Sequence, residues 1–318
     1  MAVLTLFLLA AVAGSARHAP ARPVPASQVP APQTPAPQTP APQTPTPQTP
    51  TPRARVERLP FSTAVSDVRL AISPDERHIL WGMVNRTPGS GLEIVESWLA
   101  DGVWSAPVAV SFNGPANDFD PSFSPDGRQV YFFSNRPGGA GGDDLYVVAF
   151  DPVTRRYGVP RNLGARVNTP GDEWAPSLSP DGTALLFSSN RHGVPGGQNL
   201  FIAPLRGQVI GTPVALGPAV NGAEDDFDAT FLGSAHRIVF ARGDAVGDKG
   251  TRLYAAHKGE KGWQVDGVLP PEINCSAGLN IGPSTSSSGQ FYWSAACGPG
   301  DTRLDLWRSD FPAPAGPP

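Results

Sequence analysis

The sequence predicts an all-β propeller: a ring of five four-stranded blades in which an N-terminal strand completes the last blade. Three observations lead there. From about residue 60 onward one pattern of residues recurs at intervals of about 53, which marks stacked or radially arranged supersecondary units. Each copy holds three or four short runs rich in aromatic and β-branched residues, separated by Gly, Pro, Asn and Asp, and no long segment of helical period competes. The fifth copy stops after its third strand at about Phe311, while Arg55-Val56-Glu57-Arg58-Leu59-Pro60 precedes the first inner strand as Val159-Pro160-Arg161-Asn162-Leu163 precedes the third. Joining the two ends closes the ring and leaves no large exposed sheet edge. The alternative of six blades would need a repeat that the sequence does not show.

Taken from the N-terminus, Ala2 to Ala13 form an apolar stretch followed by small residues, with cleavage sites at Ala11-Val12-Ala13 or Gly14-Ser15-Ala16. This predicts a secretory signal over residues 1–16, although no basic residues precede the stretch. It is too short to span a bilayer, and no span is expected after its removal. No cysteine follows it to carry a lipid anchor. Residues 17–53 are low-complexity, repeating Ala31-Pro32-Gln33-Thr34-Pro35 at 36–40 and 41–45, and cannot bury enough apolar surface to fold. Proline at this density favours an extended spacer, reaching on the order of 100 Å at about 3.1 Å per residue. A tether is the simpler reading; a ligand for a proline-binding module is the functional one.

The propeller is expected over residues 54–312, with a disordered tail over 313–318. Its clearest copies read Asp120-Pro121-Ser122-Phe123-Ser124-Pro125-Asp126-Gly127, then Val130-Tyr131-Phe132-Phe133-Ser134-Asn135-Arg136, and Ala175-Pro176-Ser177-Leu178-Ser179-Pro180-Asp181-Gly182, then Leu185-Leu186-Phe187-Ser188-Ser189-Asn190-Arg191. Ser-Pro-Asp-Gly suits a tight turn, with Pro setting φ and Gly accepting a positive φ, so it joins each inner strand to the next one out. Second strands are expected at 79–82, 130–134, 185–189, 238–241 and 291–294. Third strands follow at 94–99, 145–150, 200–203, 253–257 and 304–308, and fourth strands lie near 107–110, 160–163, 213–216 and 265–269.

Ser-Pro-Asp-Gly, then Phe-Ser-Ser-Asn-Arg, then Gly-Gly before Asp-Leu-Tyr resembles the WD-repeat-like propeller modules of TolB-like periplasmic proteins. The resemblance covers roughly residues 60–311 and is fullest in the second and third copies. Glu76 replaces the turn glycine in the first copy, and Gly233-Ser234-Ala235 stands for Pro-Asp-Gly in the fourth. The separate N-terminal domain of TolB has no counterpart. The resemblance implies a periplasmic or secreted propeller that serves as a platform for an envelope protein or peptide; it transfers no specific partner.

Aligning the copies places Asp67, Asp118, Glu173, Asp226 and Asn280 in one column just before the inner strand, at a channel mouth. Asp120, Asp172, Asp225 and Asp228 add negative charge on copies two to four. Such acids either accept backbone N–H bonds that tie blade to blade, or face the funnel and hold a hard cation such as Ca²⁺ or a partner's cationic group. Arg136 and Arg191, at matching places after the second strand, would offset the ring on the same face. The next column, Val68, Phe119, Trp174, Phe227 and Ile281, is apolar and expected to pack between blades. Asn113, Asn168, Asn221 and Asn274 recur in the connection entering each new blade and suit turns. The glycine-rich loops at 137–142 and 194–197 lack a phosphate-binding context and read as flexible turns. Cys275 and Cys297 are the only cysteines, fall in the two loop types of copy five that meet on that face, and suggest one disulfide.

A formal charge of −4 gives no electrostatic case for nucleic acid. No Gly-x-Ser-x-Gly elbow occurs, and the five histidines show no metal-ligand spacing. The expectation is therefore a non-catalytic binding scaffold in the cell envelope. The rival is a carbohydrate-active enzyme, a hydrolase or lyase, using Asp118, Glu173 and Asp226 in the funnel. A repeated column weakens that rival, because catalysis needs carboxylates in unlike environments.

Overall fold

The computed structural model describes residues 55–87, 89–191, 197–244, 249–297 and 301–310. The expected signal, arm and tail lie outside them. Every regular element among the described residues is a strand, and no helix is long and apolar enough to cross a membrane.

Five antiparallel sheets form five blades. Their inner strands are Asp67–Ile72, Asp118–Phe123, Glu173–Leu178, Asp225–Phe231 and Asn280–Thr285. Each inner strand packs against the next, and the fifth returns to the first, so the sheets close a ring. Second strands are His78–Val84, Gln129–Ser134, Ala184–Ser189, Arg237–Gly243 and Phe291–Ala295, and third strands are Leu92–Ala100, Asp144–Asp151, Asn199–Arg206, Thr251–Gly259 and Asp305–Ser309. The face where inner strands begin is called upper here; the Ser-Pro-Asp-Gly turns lie on the lower face.

The ring closes with Val56–Arg58, which pairs antiparallel with the third strand of blade 5 in the register Val56 to Ser309 and Arg58 to Trp307. Arg58 holds the seam with a two-pronged bond to Asp305, Nε to Oδ2 and Nη2 to Oδ1, both at 2.8 Å. The fold is thus a five-bladed β-propeller rather than a six-bladed one.

Outer strands depart from the single run expected. In blades 1 to 3 each is split into two-residue pieces, Val103–Trp104 with Val108–Ala109, Arg156–Tyr157 with Arg161–Asn162, and Val209–Ile210 with Val214–Ala215. Pro107, Pro160 and Pro213 stand just before the second pieces, and proline supplies no N–H to a ladder. Blade 4 lacks that proline and keeps Gly262–Val268 as one strand.

The apolar column packs as expected between blades. Val68 and Phe119 join Phe133, Leu185 and Phe187 in one buried cluster that Trp174 and Ile281 flank, and Phe227 joins Val239, Leu253 and Trp293 in another. Each asparagine of the entering connection does ladder work. Asn168 Oδ1 accepts from Leu145 N at 2.9 Å and its Nδ2 donates to Leu145 O at 2.9 Å, and Asn221 repeats this with Leu200. Asn113 and Asn274 do the same with Ile94 and Leu253.

Candidate functional site

The candidate site is the centre of the upper face, and four layers of residues build it. Asp67, Asp118, Glu173 and Asn280, the first residues of their inner strands, and Asp226, the second of its strand, are wholly buried. In four blades the side chain accepts the backbone N–H four residues earlier: Gly114 N to Asp118 Oδ2 at 2.7 Å, Thr169 N to Glu173 Oε2 at 2.8 Å, Gly222 N to Asp226 Oδ2 at 2.7 Å and Ser276 N to Asn280 Oδ1 at 3.2 Å. Thr63 N does the same for Asp67. The column therefore fastens each entering connection to its own blade and sits in the strand, behind the mouth.

A second group clasps each acid from the other side. Arg136 Nη2 donates to Asp118 and to Phe112 O, and Arg191 Nη2 lies 3.7 Å from Glu173 while donating to Val167 O. Blade 4 adds Arg242, whose Nε donates to Asp226 Oδ1 at 2.7 Å and whose Nη2 donates to Val220 O. Each guanidinium also lies over two rings, such as Phe187 and Phe201 at 5.2 and 4.3 Å from Arg191. The sequence pattern missed Arg242 because it stands directly across the ladder from Asp226, whereas Arg136 and Arg191 lie two residues beyond Ser134 and Ser189, the partners of Asp118 and Glu173. Blade 1 uses Trp81, donating from Nε1 to Asp67 Oδ1 at 2.8 Å. In blade 5 Cys297 occupies the arginine's place, two residues beyond Ala295, and is disulfide-bonded to Cys275 with Cα atoms 5.2 Å apart. There the acid is the neutral Asn280, so a covalent tie replaces the ionic one. Burial pushes Asp67, Glu173 and Asp226 above the ordinary carboxylate range even though these donors pull the other way.

The residue before each acid forms the third layer and links neighbouring blades. Asp172 Oδ1 accepts from Asp143 N at 3.0 Å, Asp225 Oδ1 from Gln198 N at 2.8 Å, Asn117 Oδ1 from Leu92 N at 3.0 Å and Ser66 Oγ from Leu304 N at 3.2 Å. Gly142 and Gly197, the last residues of the loops expected to be flexible turns, lie against these acids; the rest of the 194–197 loop falls outside the described residues. A Cβ on Gly142 would fall 2.1 Å from Asp172 Oδ1 and one on Gly197 2.0 Å from Asp225 Oδ1, so any larger residue there would have to displace the carboxylate.

The fourth layer lies on the axis. Two residues beyond each member of the buried column the ladder shifts register, and Arg69, Asp120, Ala175, Asp228 and Gly282 all take a left-handed φ between 48° and 59°. Asp120 and Asp228, expected at the mouth, are instead only 5 % exposed, with Arg69 at 2 %. Arg69 Nη2 reaches across the axis toward the carbonyls of Ala175, Pro176 and Ala229, and Asp228 Oδ2 accepts from Gly282 N at 2.9 Å. Burial, then the neighbouring Asp228 charge, pushes the Asp120 carboxyl well up, while Arg69 opposes the shift. Below them a cavity of about 90 Å³ opens toward the lower face, collared by the hydroxyls of Ser122, Ser177, Thr230 and Ser284.

Half-buried groups remain on the upper face. Asp143 accepts from Trp174 Nε1 at 2.8 Å, and its carboxyl is pushed up to about 6, by burial first and by Asp172 and Asp144 after it. On the opposite side, at blade 5, a pocket of about 590 Å³ is lined by the disulfide, Leu279, Ala296 and Leu304, with Asp301 at its edge. Among the described residues no group of three or more His, Cys, Asp or Glu is arranged to hold a metal ion.

No family model matches the sequence, and no curated protein matches it. Solved structures do. An endo-arabinase from Bacteroides thetaiotaomicron aligns at a TM-score of 0.52 and 12 % identity, covering 78 % of this chain and 94 % of that one. An α-L-arabinofuranosidase from Lactobacillus brevis aligns at 0.52 and 13 %, covering 79 % and 92 %. TolB from Acinetobacter baumannii aligns at 0.46 and 16 %, covering 78 % of this chain and 55 % of that one, so the chain spans about half the length of that protein. At these identities the likeness is one of fold: this chain is similar to proteins built on a propeller.

Proposed function

We propose that this chain is a non-catalytic propeller scaffold of the cell envelope, exported and held off on its proline-rich arm, which binds a protein partner across its upper face. The observation that carries this reading is the unevenness of that face. Four blades close their loops with a side-chain clasp on a buried acid, and blade 5 closes them with a disulfide beside a pocket of about 590 Å³. A pocket of this size suits a partner's apolar side chains. The ring carboxylates repeat one hydrogen-bonding duty blade after blade, which is the pattern of a frame. Photo-cross-linking from position 279, at the pocket, tests this against a position on the lower face.

A glycan-active enzyme is the second reading, and one observation favours it. Asp143, half-buried with its carboxyl near 6, and the axial pair Asp120 and Asp228 stand in unlike environments, as acid and base groups must. Release of reducing sugar from arabinan and other polysaccharides by the wild-type chain, abolished in Asp143→Asn, would support it.

A further inference from the structure

A rung that the other blades close is open in blade 5. In blades 1 to 3 the residue before the buried column takes a backbone bond from the residue opposite: Val84 N donates to Ser66 O at 3.0 Å, Asn135 N to Asn117 O at 3.3 Å and Asn190 N to Asp172 O at 3.3 Å. Blade 4 runs its ladder through the same place, pairing Asp225 with Gly243. Blade 5 pairs Asn280 with Ala295, but Leu279 and Ala296, one step further, share no hydrogen bond. Both are half-buried and line the pocket of about 590 Å³. Leu279 also lacks the side-chain oxygen with which Ser66, Asn117, Asp172 and Asp225 take an N–H from the neighbouring blade, so Thr251 N goes to Gly278 O at 3.1 Å. What spans the open rung is the disulfide, and Cys275 and Cys297 both line the same pocket.

The two walls that the disulfide joins differ in what else holds them. Ser276 N donates to Asn280 Oδ1, while Asn280 Nδ2 and Arg252 Nη1 donate to Ser276 O, each at 3.0 Å, so the wall at 275–279 keeps its place unaided. On the other wall the nearest fixed points are Ala295 O, which accepts from Trp307 Nε1 at 3.0 Å, and Arg303, whose Nη1 donates to Thr63 O at 2.9 Å. Between them, residues 296, 297, 301 and 302 make no hydrogen bond to any described residue. Both cysteines are half-buried rather than sealed, the setting of labile and regulatory disulfides. Once reduced they remain small apolar side chains against the cluster of Phe227, Leu253 and Trp293, so the blade itself stays packed.

The geometry points to Cys275–Cys297 as a thiol–disulfide exchange site that governs the pocket. The inference rests on the scaffold reading for what the pocket binds and adds how that binding is controlled. A dithiol reductant attacks one of the two sulfurs as a thiolate, forming a mixed disulfide and releasing the other cysteine. Its second thiol then displaces the first. Two protons pass from the reductant to Cys275 and Cys297, which are left as thiols, and the reductant is left as a disulfide. The oxidised chain holds both walls and takes the partner; the reduced chain loses the outer wall and releases it.

The test treats the folded full chain with dithiothreitol, without denaturant and below its melting temperature, and counts alkylated cysteines by mass spectrometry. Both should be modified. Trypsin should then cut after Arg303 about tenfold faster than in the oxidised chain, while the cut after Arg155, exposed on blade 2, keeps its rate. Loss of a tie that merely stabilises the whole fold would hasten both cuts. In a parallel sample the yield of partner cross-linked from position 279 should fall several-fold on reduction and recover on reoxidation. Cys275→Ser with Cys297→Ser should behave as the reduced chain under either condition. A disulfide that resists dithiothreitol until the chain unfolds, equal acceleration of both cuts, or a cross-link yield indifferent to reduction would overturn the inference. No cross-link from position 279 in either state, with the Arg303 cut still redox-dependent, would sink the scaffold reading and leave the exchange site standing.

Discussion

Arg242 Nε donates to Asp226 Oδ1 at 2.7 Å directly across the ladder of blade 4, where blade 5 has Asn280 and a disulfide. Asp226 is wholly buried and the Arg242 side chain is 18 % exposed, so the pair is shielded from solvent. Removing one member leaves a buried charge alone. Arg242→Ala should therefore cost about 3–5 kcal/mol in urea unfolding. Asp226→Asn, which copies Asn280 and keeps the bond from Gly222 N, should cost well under half as much. Equal losses would contradict the clasp.

The disulfide closes a separation of 22 residues. Cys275→Ser with Cys297→Ser should lose about 3 kcal/mol. For a propeller of this size that is roughly 6–12 °C in melting temperature. Scanning calorimetry with and without a thiol reductant checks it, and the double variant should be insensitive to the reductant.

The five-bladed ring was legible because the Ser-Pro-Asp-Gly turn and the aromatic second strand repeat at nearly constant spacing, and the missing last strand could be matched to Val56–Arg58. The site was less so. Arg242 escaped because its guanidinium reaches the same acid from two residues earlier. Asp120 and Asp228 were placed with the mouth because pattern alone does not reveal a register shift; the left-handed residue there turns their side chains inward to Arg69. Asp143 and Gln198 carried no signal, since they follow glycine-rich loops whose lengths differ between copies, and their equivalence shows only in the bonds to Asp172 and Asp225.

Removing the closing strand should open blade 5. A chain beginning after Pro60 loses Val56–Arg58 and the Arg58 bonds to Asp305, exposing the strand Asp305–Ser309 as a free edge. It should melt lower and aggregate in a concentration-dependent way by light scattering. A chain beginning at Ala54 should behave as the full chain does.

On mild acidification the fold should gain stability. Asp67, Asp143, Glu173 and Asp226 titrate above the ordinary range because burial disfavours their charged form. A group with a raised folded pKa contributes stability that is full below its unfolded value and lost as pH rises through the folded one. Asp126 and Asp181, held low by the hydroxyls of Ser124 and Ser179, oppose this only at more acid pH. The melting temperature should rise between about pH 7.5 and about pH 5.5, and Asp143→Asn should flatten the rise. Calcium or chelator should leave it unchanged, because protein donors already bond the ring oxygens.

Cross-linking decides the central claim. With p-benzoylphenylalanine placed at Leu279, beside the upper-face pocket, or at Arg128, exposed on the lower face, cells should yield one defined cross-linked protein from the first position and none from the second. Equal products from both positions, or none from either while arabinan is cleaved in an Asp143-dependent way, would show that the propeller is not a scaffold working through its upper face.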